Sequence, residues 1–248
     1  MSQTTSVQEH YDRFLADHYT WSAGGFAAQV ERARSCFEAM ALIPASGQAL
    51  DLGAGSGFQT AALQQGGFEV TAVDTCSKLL QELEQRCGRA GIQTKCDDLR
   101  NLAAFGTRPW DLICCMGDTL LLLDHADQAR RFLEQTVDRL SPGGKLVLSF
   151  RDLTSTPAGE RQWIAVRQEA DRAFHCHLSF ESERVRVEDL VLLRTTAPDR
   201  MDWSLQQSAY WKLRLSPDQV ASWLQGPNRR LKRWPAAPGL ALFLLEKY

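Results

Sequence analysis

Two aspartates stand at the ends of successive apolar runs, and the first is followed by a run of glycines. Asp51 precedes Gly53, Gly55 and Gly57, which occupy alternate positions, and Asp74 ends the next apolar run. Glycine has no Cβ and accepts positive φ, so such a turn lets the backbone approach a ligand closely. The helix expected after the turn offers free N–H groups, and an acid at the end of the second strand suits a ribose diol. These residues predict a nucleoside-ligand site.

The spacing of the glycines narrows the class of ligand. A dinucleotide fingerprint requires glycine at its first, third and sixth positions. Counting from Gly53, the sixth position is Phe58, so that pattern fails and a nicotinamide-dependent oxidoreductase is disfavoured. No Gly-Lys-Ser/Thr follows the turn either, so the phosphate-cradling P-loop pattern is also missing.

Strand-like runs alternate with helical patterns through the first 150 residues. Strands are predicted near 48–52, 69–73, 92–96, 110–115 and 144–150, and helices near 58–66, 77–90 and 125–140, with a short one around 99–105. Such alternation favours a parallel sheet covered by helices on both faces. The helical pattern over 6–42, broken at 22–25, precedes this region, and a buried strand over 240–245 ends the chain.

The pattern changes after residue 151, because 162–215 alternates apolar and polar residues as antiparallel strands do. The predicted fold class is therefore α/β. It comprises a Rossmann-like, seven-stranded, mostly parallel sheet with helices on both faces, plus an antiparallel β insertion after strand five. A capped helix is expected to begin at Ser216 and Pro217.

Five polar residues lie at or just past the predicted carboxyl ends of strands. They are Asp51, Asp74, Asp98, Asp118 and Arg151. In open α/β sheets, ligands bind outside these ends, where the strand order reverses. We therefore expect the five side chains to surround one site.

The stretch from Asp51 to Gly57 resembles the first motif of the class I S-adenosylmethionine (SAM) methyltransferases, Asp-x-Gly-x-Gly-x-Gly. Three further segments, 95–102, 110–121 and 140–148, resemble later motifs of that family in the right order. The resemblance implies SAM as the cofactor. The residues it implies for cofactor binding are Asp51, Gly53, Ala54, Gly55, Gly57, Asp74, Thr75, Asp98, Leu99, Met116, Gly117 and Trp21. Asp97 remains an alternative to Asp98 at the adenine.

Within that family, the segment Gly117-Asp118-Thr119-Leu120 looks most like the Gly-Asn-Ser-Leu of the glycine and sarcosine enzymes, with two substitutions. This resemblance implies that Arg151 contacts the substrate, where a guanidinium suits a carboxylate. Asp118 is a second substrate residue it implies. Tyr19 is a third, implied because the N-terminal segment with Tyr19, Trp21 and Gly24-Gly25 resembles the Tyr-x-Trp…Gly-Gly entry of related methyltransferases.

The resemblance also implies a division of the chain into three parts. Residues 1–44 are expected to form a helical lid, 45–153 and 216–248 the SAM-binding domain, and 154–215 a cover over the substrate pocket.

The expected function is methyl transfer from SAM to a small-molecule acceptor, of amine or acid type, by in-line displacement. Proximity and alignment supply much of the catalysis of such a step, and no residue is assigned as a general base. The alternative is a non-catalytic protein that binds SAM or S-adenosylhomocysteine.

Composition and residue spacing lead us to expect no nucleic-acid partner, no metal and no membrane segment. The 248 residues carry a formal net charge of −2, which argues against a nucleic-acid partner. The seven cysteines are scattered without a Cys-x-x-Cys spacing, as in reduced cytoplasmic proteins. His175 and His177 lack a third ligand, so no metal is expected. We also expect no membrane segment and a monomer or homodimer.

Overall fold

Residues 4–43, 47–197 and 200–248 are described by the computed structural model, without the side chains of 195–197, 200 and 201. They form two sheets. The strands are β1 (Gly47–Leu52), β2 (Phe68–Asp74), β3 (Ile92–Cys96), β4 (Trp110–Cys115), β5 (Leu140–Arg151), β6 (Arg161–Gln168), β7 (Arg172–Phe180), β8 (Arg184–Ala197), β9 (Arg200–Leu213), β10 (Arg229–Arg233) and β11 (Leu240–Lys247). The helices are α1 (Val7–Arg13), α2 (Tyr19–Ser22), α3 (Phe26–Ala39), α4 (Phe58–Gln65), α5 (Ser77–Cys87), α6 (Ala126–Asp138) and α7 (Pro217–Leu224).

The larger sheet has seven strands in the order β10-β11-β5-β4-β1-β2-β3. Strands β1 to β5 pair in parallel, while β11 pairs antiparallel with both β5 and β10. The strand order reverses between β1 and β4, so a ligand crevice is expected above their carboxyl ends. The smaller sheet, β6-β7-β8-β9, is antiparallel and follows β5 in the chain. The predicted fold class is confirmed.

Side chains of the central strands alternate between two buried clusters, one on each face of the larger sheet. On β4, Leu112 and Cys114 pack with α3 and α4, whereas Ile113 and Cys115 pack with α6 and α7. On β11, Leu242 belongs to the cluster with Leu112 and Cys114, and Phe243 belongs to the cluster with Ile113 and Cys115. The near-continuous apolar runs of these strands are thus explained by burial on both faces.

The smaller sheet lies over the carboxyl ends of β4 and β5. One face carries Cys176, Leu178, Val187 and Tyr210, which pack with Val7 of α1 and with Leu122 after β4. Helix α1 and this inner face therefore stand above the reversal point of the larger sheet.

Several predicted boundaries shift for local reasons. Helix α5 ends at Cys87 because Gly88 adopts a φ of +69°. The short helix expected around 99–105 is a 3-10 turn, Leu102–Phe105. Strand β5 starts at Leu140, because Leu140 already pairs with Trp110 of β4, and the pairing register shifts before it resumes at Lys145. The expected domain boundary at 44–45 lies outside the described residues.

Helix α7 begins as expected, with Ser216 Oγ accepting the N–H of Gln219 and Pro217 in the first turn. The basic run Arg229–Arg233 forms the edge strand β10. Among the described residues, no helix is long and apolar enough to cross a membrane.

The antiparallel strand β11 should be integral to the core. Phe243 is 1% exposed and stacks on Phe150, with ring centroids 6.2 Å apart. We expect Phe243→Ala to lower the free energy of unfolding by about 3–5 kcal/mol, through lost burial and a residual cavity. Urea unfolding measures this change. Tyr248→Ala, at a side chain that is 59% exposed, is the control and should change it little. Equal effects of the two variants would contradict this packing.

Candidate functional site

The glycine turn after β1 is fastened to the end of β2 by backbone hydrogen bonds. The N–H groups of Gly53 and Ala54 both donate to the carbonyl of Val73, at 2.9 and 3.0 Å. Gly53 has a φ of +77°, and a Cβ there would lie 2.4 Å from the Thr119 side chain. Both its conformation and its surroundings therefore require glycine.

Asp74 completes this connection with its side chain. One carboxylate oxygen accepts the N–H of Gly55 at 2.8 Å, and the other accepts the N–H of Cys76 at 2.8 Å. Burial raises the pKa of Asp74, and the two backbone hydrogen bonds oppose that rise. Each carboxylate oxygen has a second lone pair, so the group retains acceptor capacity towards the crevice.

Asp51 supports the turn from below. It is 1% exposed, and it accepts the hydroxyl of Thr60 in α4 at 2.6 Å. Burial raises its pKa to about 6, against the opposing effect of the Thr60 hydrogen bond. Asp51 does not line the cavity above the sheet.

A cavity of about 610 Å³ lies above the carboxyl ends of the parallel strands. This volume is within the usual range for small-molecule sites. The predicted site residues that line it are Gly53, Gly55, Asp74, Thr75, Asp98, Leu99, Met116, Gly117, Asp118 and Tyr19. Those that do not line it are Asp51, Ala54, Gly57, Trp21 and Arg151.

Trp21 lies away from the cavity wall, beside the β6–β7 hairpin. Arg172 stands 4.3 Å and Arg167 5.5 Å from its ring centroid. Arg167 also donates to the carbonyl of Trp21 at 2.8 Å. In this structure, Trp21 fastens α2 to the smaller sheet.

Asp97 and Asp98 both reach the cavity, at the end of β3. Arg100 binds the Asp98 carboxylate through its guanidinium and its backbone N–H, and this side-chain hydrogen bond lowers the pKa of Asp98. One oxygen of Asp97 accepts the N–H of Asp98 at 2.7 Å and the amide of Asn101 at 2.8 Å. Both carboxylates are thus fixed in place.

At the opposite end of the cavity, Asp118 meets two cations. Its Oδ2 lies 2.6 Å from Lys212 Nζ and 3.5 Å from an Arg151 guanidinium nitrogen, and its Oδ1 accepts the Arg151 N–H at 3.0 Å. Burial opposes ionisation, but the charges of Lys212 and Arg151 outweigh it and lower the pKa of Asp118 to about 2. Asp118 is therefore a fixed anion at neutral pH.

Helix α1, the residues just before it and the smaller sheet supply cavity residues that sequence reasoning missed. They include Thr5, Gln8, Tyr11, Arg184, Trp211 and Lys212. The alternating pattern around Lys212 indicates a strand, but it does not indicate which face meets the larger sheet. Helix α1 is held there by a buried contact of 3.2 Å between His10 Nε2 and Asp189 Oδ2, and by stacking of His10 on Tyr210.

No group of three or more histidine, cysteine or acidic side chains in the described ranges is arranged to hold a metal ion. The cavity wall instead offers backbone, carboxylates and aromatic rings. This donor set fits a nucleoside with a polar tail, because Gly53, Gly55 and Gly117 leave wall space that a Cβ would otherwise fill.

Comparison with known proteins agrees with this geometry. Residues 49–144 match the family model of a methyltransferase domain. A ubiquinone biosynthesis O-methyltransferase of Xylella fastidiosa is 31% identical over 110 residues, which cover 43% of each chain. The chain spans about half the length of the curated relatives it matches.

Solved structures share the fold over almost the whole chain. The CcbJ methyltransferase from Streptomyces caelestis has a TM-score of 0.76 at 19% identity, covering 97% of this chain and 98% of its own. The sugar N-methyltransferase KedS8 from Streptoalloteichus has a TM-score of 0.70 at 16% identity, covering 100% and 98%.

The family match over residues 49–144 is to a methyltransferase domain, in keeping with the motifs, and the solved structures share the fold of the chain. The expected nearer relationship to the glycine and sarcosine enzymes is not supported by these matches. The substitutions in the Gly117–Leu120 segment are in keeping with that outcome.

The Asp51–Thr60 contact predicts a pH-dependent stability effect. Thr60→Val should lower the free energy of unfolding at pH 7 by about 1–3 kcal/mol, because it leaves a buried carboxylate without its hydroxyl donor. The pKa of Asp51 is raised to about 6, so lowering the pH to 4 protonates the carboxyl in the folded state. The loss should therefore shrink between pH 7 and pH 4.

Thr136→Val is the matched control, since the buried Thr136 hydroxyl donates to the carbonyl of Phe132, which does not titrate. Denaturant unfolding at the two pH values measures both variants. The same pH dependence for the two would contradict the assignment to Asp51.

Proposed function

We propose that this chain is a SAM-dependent methyltransferase that acts on a small-molecule acceptor. The observation that carries the proposal is the connection between the glycine turn and Asp74 at the wall of the cavity. That connection joins the ends of β1 and β2, next to the point between β1 and β4 where the strand order reverses and where ligands bind in such sheets. By their names, the Xylella relative methylates oxygen and KedS8 a sugar nitrogen, so the proposal names no acceptor atom.

The proposed cofactor residues form three groups, one for each part of SAM. Asp74 would accept the ribose hydroxyls, and Asp98 the adenine amino group, with Leu99 against the ring. The turn around Gly53 and Gly55 would take the methionine part. In this proposal, Asp51, Ala54 and Gly57 shape the turn without reaching the ligand, and Trp21 holds α2 in place.

The proposed acceptor space lies between Gly117 and the inner face of the smaller sheet. When bound, SAM would supply a methyl group on a sulfonium. A lone pair of the acceptor atom would form the new bond to the methyl carbon as the S–C bond breaks, and the electron pair of that bond would stay on sulfur. Asp118 is a poor base because its pKa is about 2. Burial raises the pKa of Tyr19, so its phenol stays protonated at neutral pH. The residues around the acceptor therefore position it rather than remove a proton.

The residues that line the cavity also support a separate proposed role for each of three parts of the chain. The N-terminal helical segment would act as a lid, since Gln8, Tyr11 and Tyr19 line the cavity. The inserted sheet would cover the acceptor end through Trp211 and Lys212. The remaining part of the chain would bind SAM.

Calorimetric titration with SAM tests the proposal. Wild-type protein should bind SAM, and Asp74→Asn should weaken binding more than tenfold, because hydrogen bonds to a charged group contribute about 1.5–3 kcal/mol. Glu69→Gln, at the exposed opposite end of the same strand, is the control and should bind like wild type.

Thermal unfolding of each variant separates lost binding from lost folding. Absence of saturable SAM binding by the wild type, or equal affinity for wild type and Asp74→Asn, would contradict the proposal. Tight binding without methyl transfer to any member of an acceptor panel would instead favour a non-catalytic SAM-binding protein.

A further inference from the structure

Apolar side chains from three separate elements form one wall at the acceptor end of the cavity. This apolar wall consists of Val7 of α1, Leu122 after β4, and Trp211 and Leu213 of β9. From it, and on the basis of the proposed function, we infer that the acceptor is an uncharged molecule with an apolar ring. In this inference, Trp211 binds the ring and so determines specificity.

The apolar wall lies at the end of the cavity away from the proposed adenine site. Lys212 Nζ lies 2.6 Å from Asp118 Oδ2, which places Trp211, one residue earlier in β9, beside the end of β4. Asp98 follows β3, and β1 and β2 separate β3 from β4 in the larger sheet. The part of the ligands that meets the apolar wall is therefore the acceptor and not the adenine.

Packing on two layers of the fold holds the apolar wall in place. Val7 and Leu122 pack against the buried cluster on the inner face of the smaller sheet. Leu213 is 7% exposed and belongs to the core cluster that also contains Leu123, a further cavity residue. Small-molecule sites are lined mostly by such apolar side chains, and burying a ring against them is favourable without any charge.

The charged side chains at this end of the cavity already have partners. Lys212 and Asp118 form a pair whose side chains are 10% and 12% exposed. The Arg184 guanidinium contacts Glu181 at 2.9 Å, and its carbon lies 3.9 Å from the ring centroid of Trp211. A charged acceptor would lose its hydration here without gaining an ion-pair partner, which is costly. An uncharged acceptor avoids that cost.

The hydroxyl groups just before α1 are engaged as well. Thr5 Oγ1 donates to the carbonyl of Ala209 at 3.3 Å. Ser6 Oγ accepts the N–H of Glu9 at 3.1 Å. Trp211, which is partly buried, is the largest side chain of the apolar wall. Aromatic rings bind other rings well in offset or edge-on arrangements, so its indole is the group best suited to hold the acceptor ring.

The test titrates the full chain with three small probes, both without and with S-adenosylhomocysteine. Benzamide and benzoate have the same shape and differ in charge, whereas cyclohexanecarboxamide shows whether the ring must be aromatic. Saturation-transfer NMR measures binding, and the indole N–H resonance of Trp211 reports where it occurs. We expect saturable binding of benzamide with a dissociation constant on the order of 1 mM, and binding of benzoate at least tenfold weaker.

The variant Trp211→Leu should weaken benzamide binding about fivefold or more, through the lost ring contact. Trp203→Leu is the matched control, because Trp203 lies on the same strand, is 47% exposed and does not line the cavity. It should leave binding within twofold of wild type, and thermal unfolding checks that both variants are folded.

Three results of these titrations would overturn the inference. The first is that neither uncharged probe binds saturably, and the second is that benzoate binds as tightly as benzamide. The third is that benzamide binds while the Trp211 resonance stays unchanged, or that both variants lose binding equally.

A second measurement compares turnover of hydroxylated and aminated benzamides with that of the matching benzoates, using labelled SAM. Turnover should favour the amides, and Trp211→Leu should raise KM for them about fivefold while kcat and the Kd for SAM stay within twofold. Equal kcat/KM for amides and acids would also overturn the inference. A wild type that binds benzamide at Trp211 but does not bind SAM would contradict the proposed function and still support the ring site.

Discussion

The Asp74 carboxylate is the interaction on which the crevice depends. It ends β2, yet its two oxygens hold the N–H of Gly55 in the turn after β1 and the N–H of Cys76 at the start of α5. A single side chain therefore fixes two turns at adjacent strand ends. Because each of its oxygens accepts one backbone N–H, the carboxylate is kept in a half-buried position that would otherwise be costly. The open space above β1 and β4 follows from that arrangement.

The smaller sheet lies over this open edge of the larger sheet and so forms a cleft there. Its inner face is apolar where it meets Val7 and Leu122, and charged where Lys212 meets Asp118. The apolar contacts stabilise the placement of the sheet, whereas the Lys212–Asp118 pair sets its register over the end of β4. The cofactor end and the acceptor end of the cavity thus belong to different layers of the fold.

Local patterns predict most of the larger sheet, because its strands are short apolar runs between clear turns. The positions of Asp74 and Asp118 near one cavity follow from parallel strands ending at the same edge. Lys212 and Tyr11 could not be predicted, since their placement depends on how β9 and α1 dock, over long sequence separations. Trp21 is predicted to contact the cofactor, but in the structure its ring packs against two arginines. The sequence of a helical segment does not indicate which residues an aromatic side chain will contact.

A crystal structure with S-adenosylhomocysteine tests the central claim most directly, because it fixes which groups the nucleoside contacts. We expect the ribose hydroxyls within hydrogen-bond distance of the Asp74 carboxylate, and the thioether sulfur beside Gly117 and facing the space before Asp118. A ligand bound elsewhere, or one in the cavity that leaves both Asp74 and the turn at Gly53–Gly55 without contact, would contradict it.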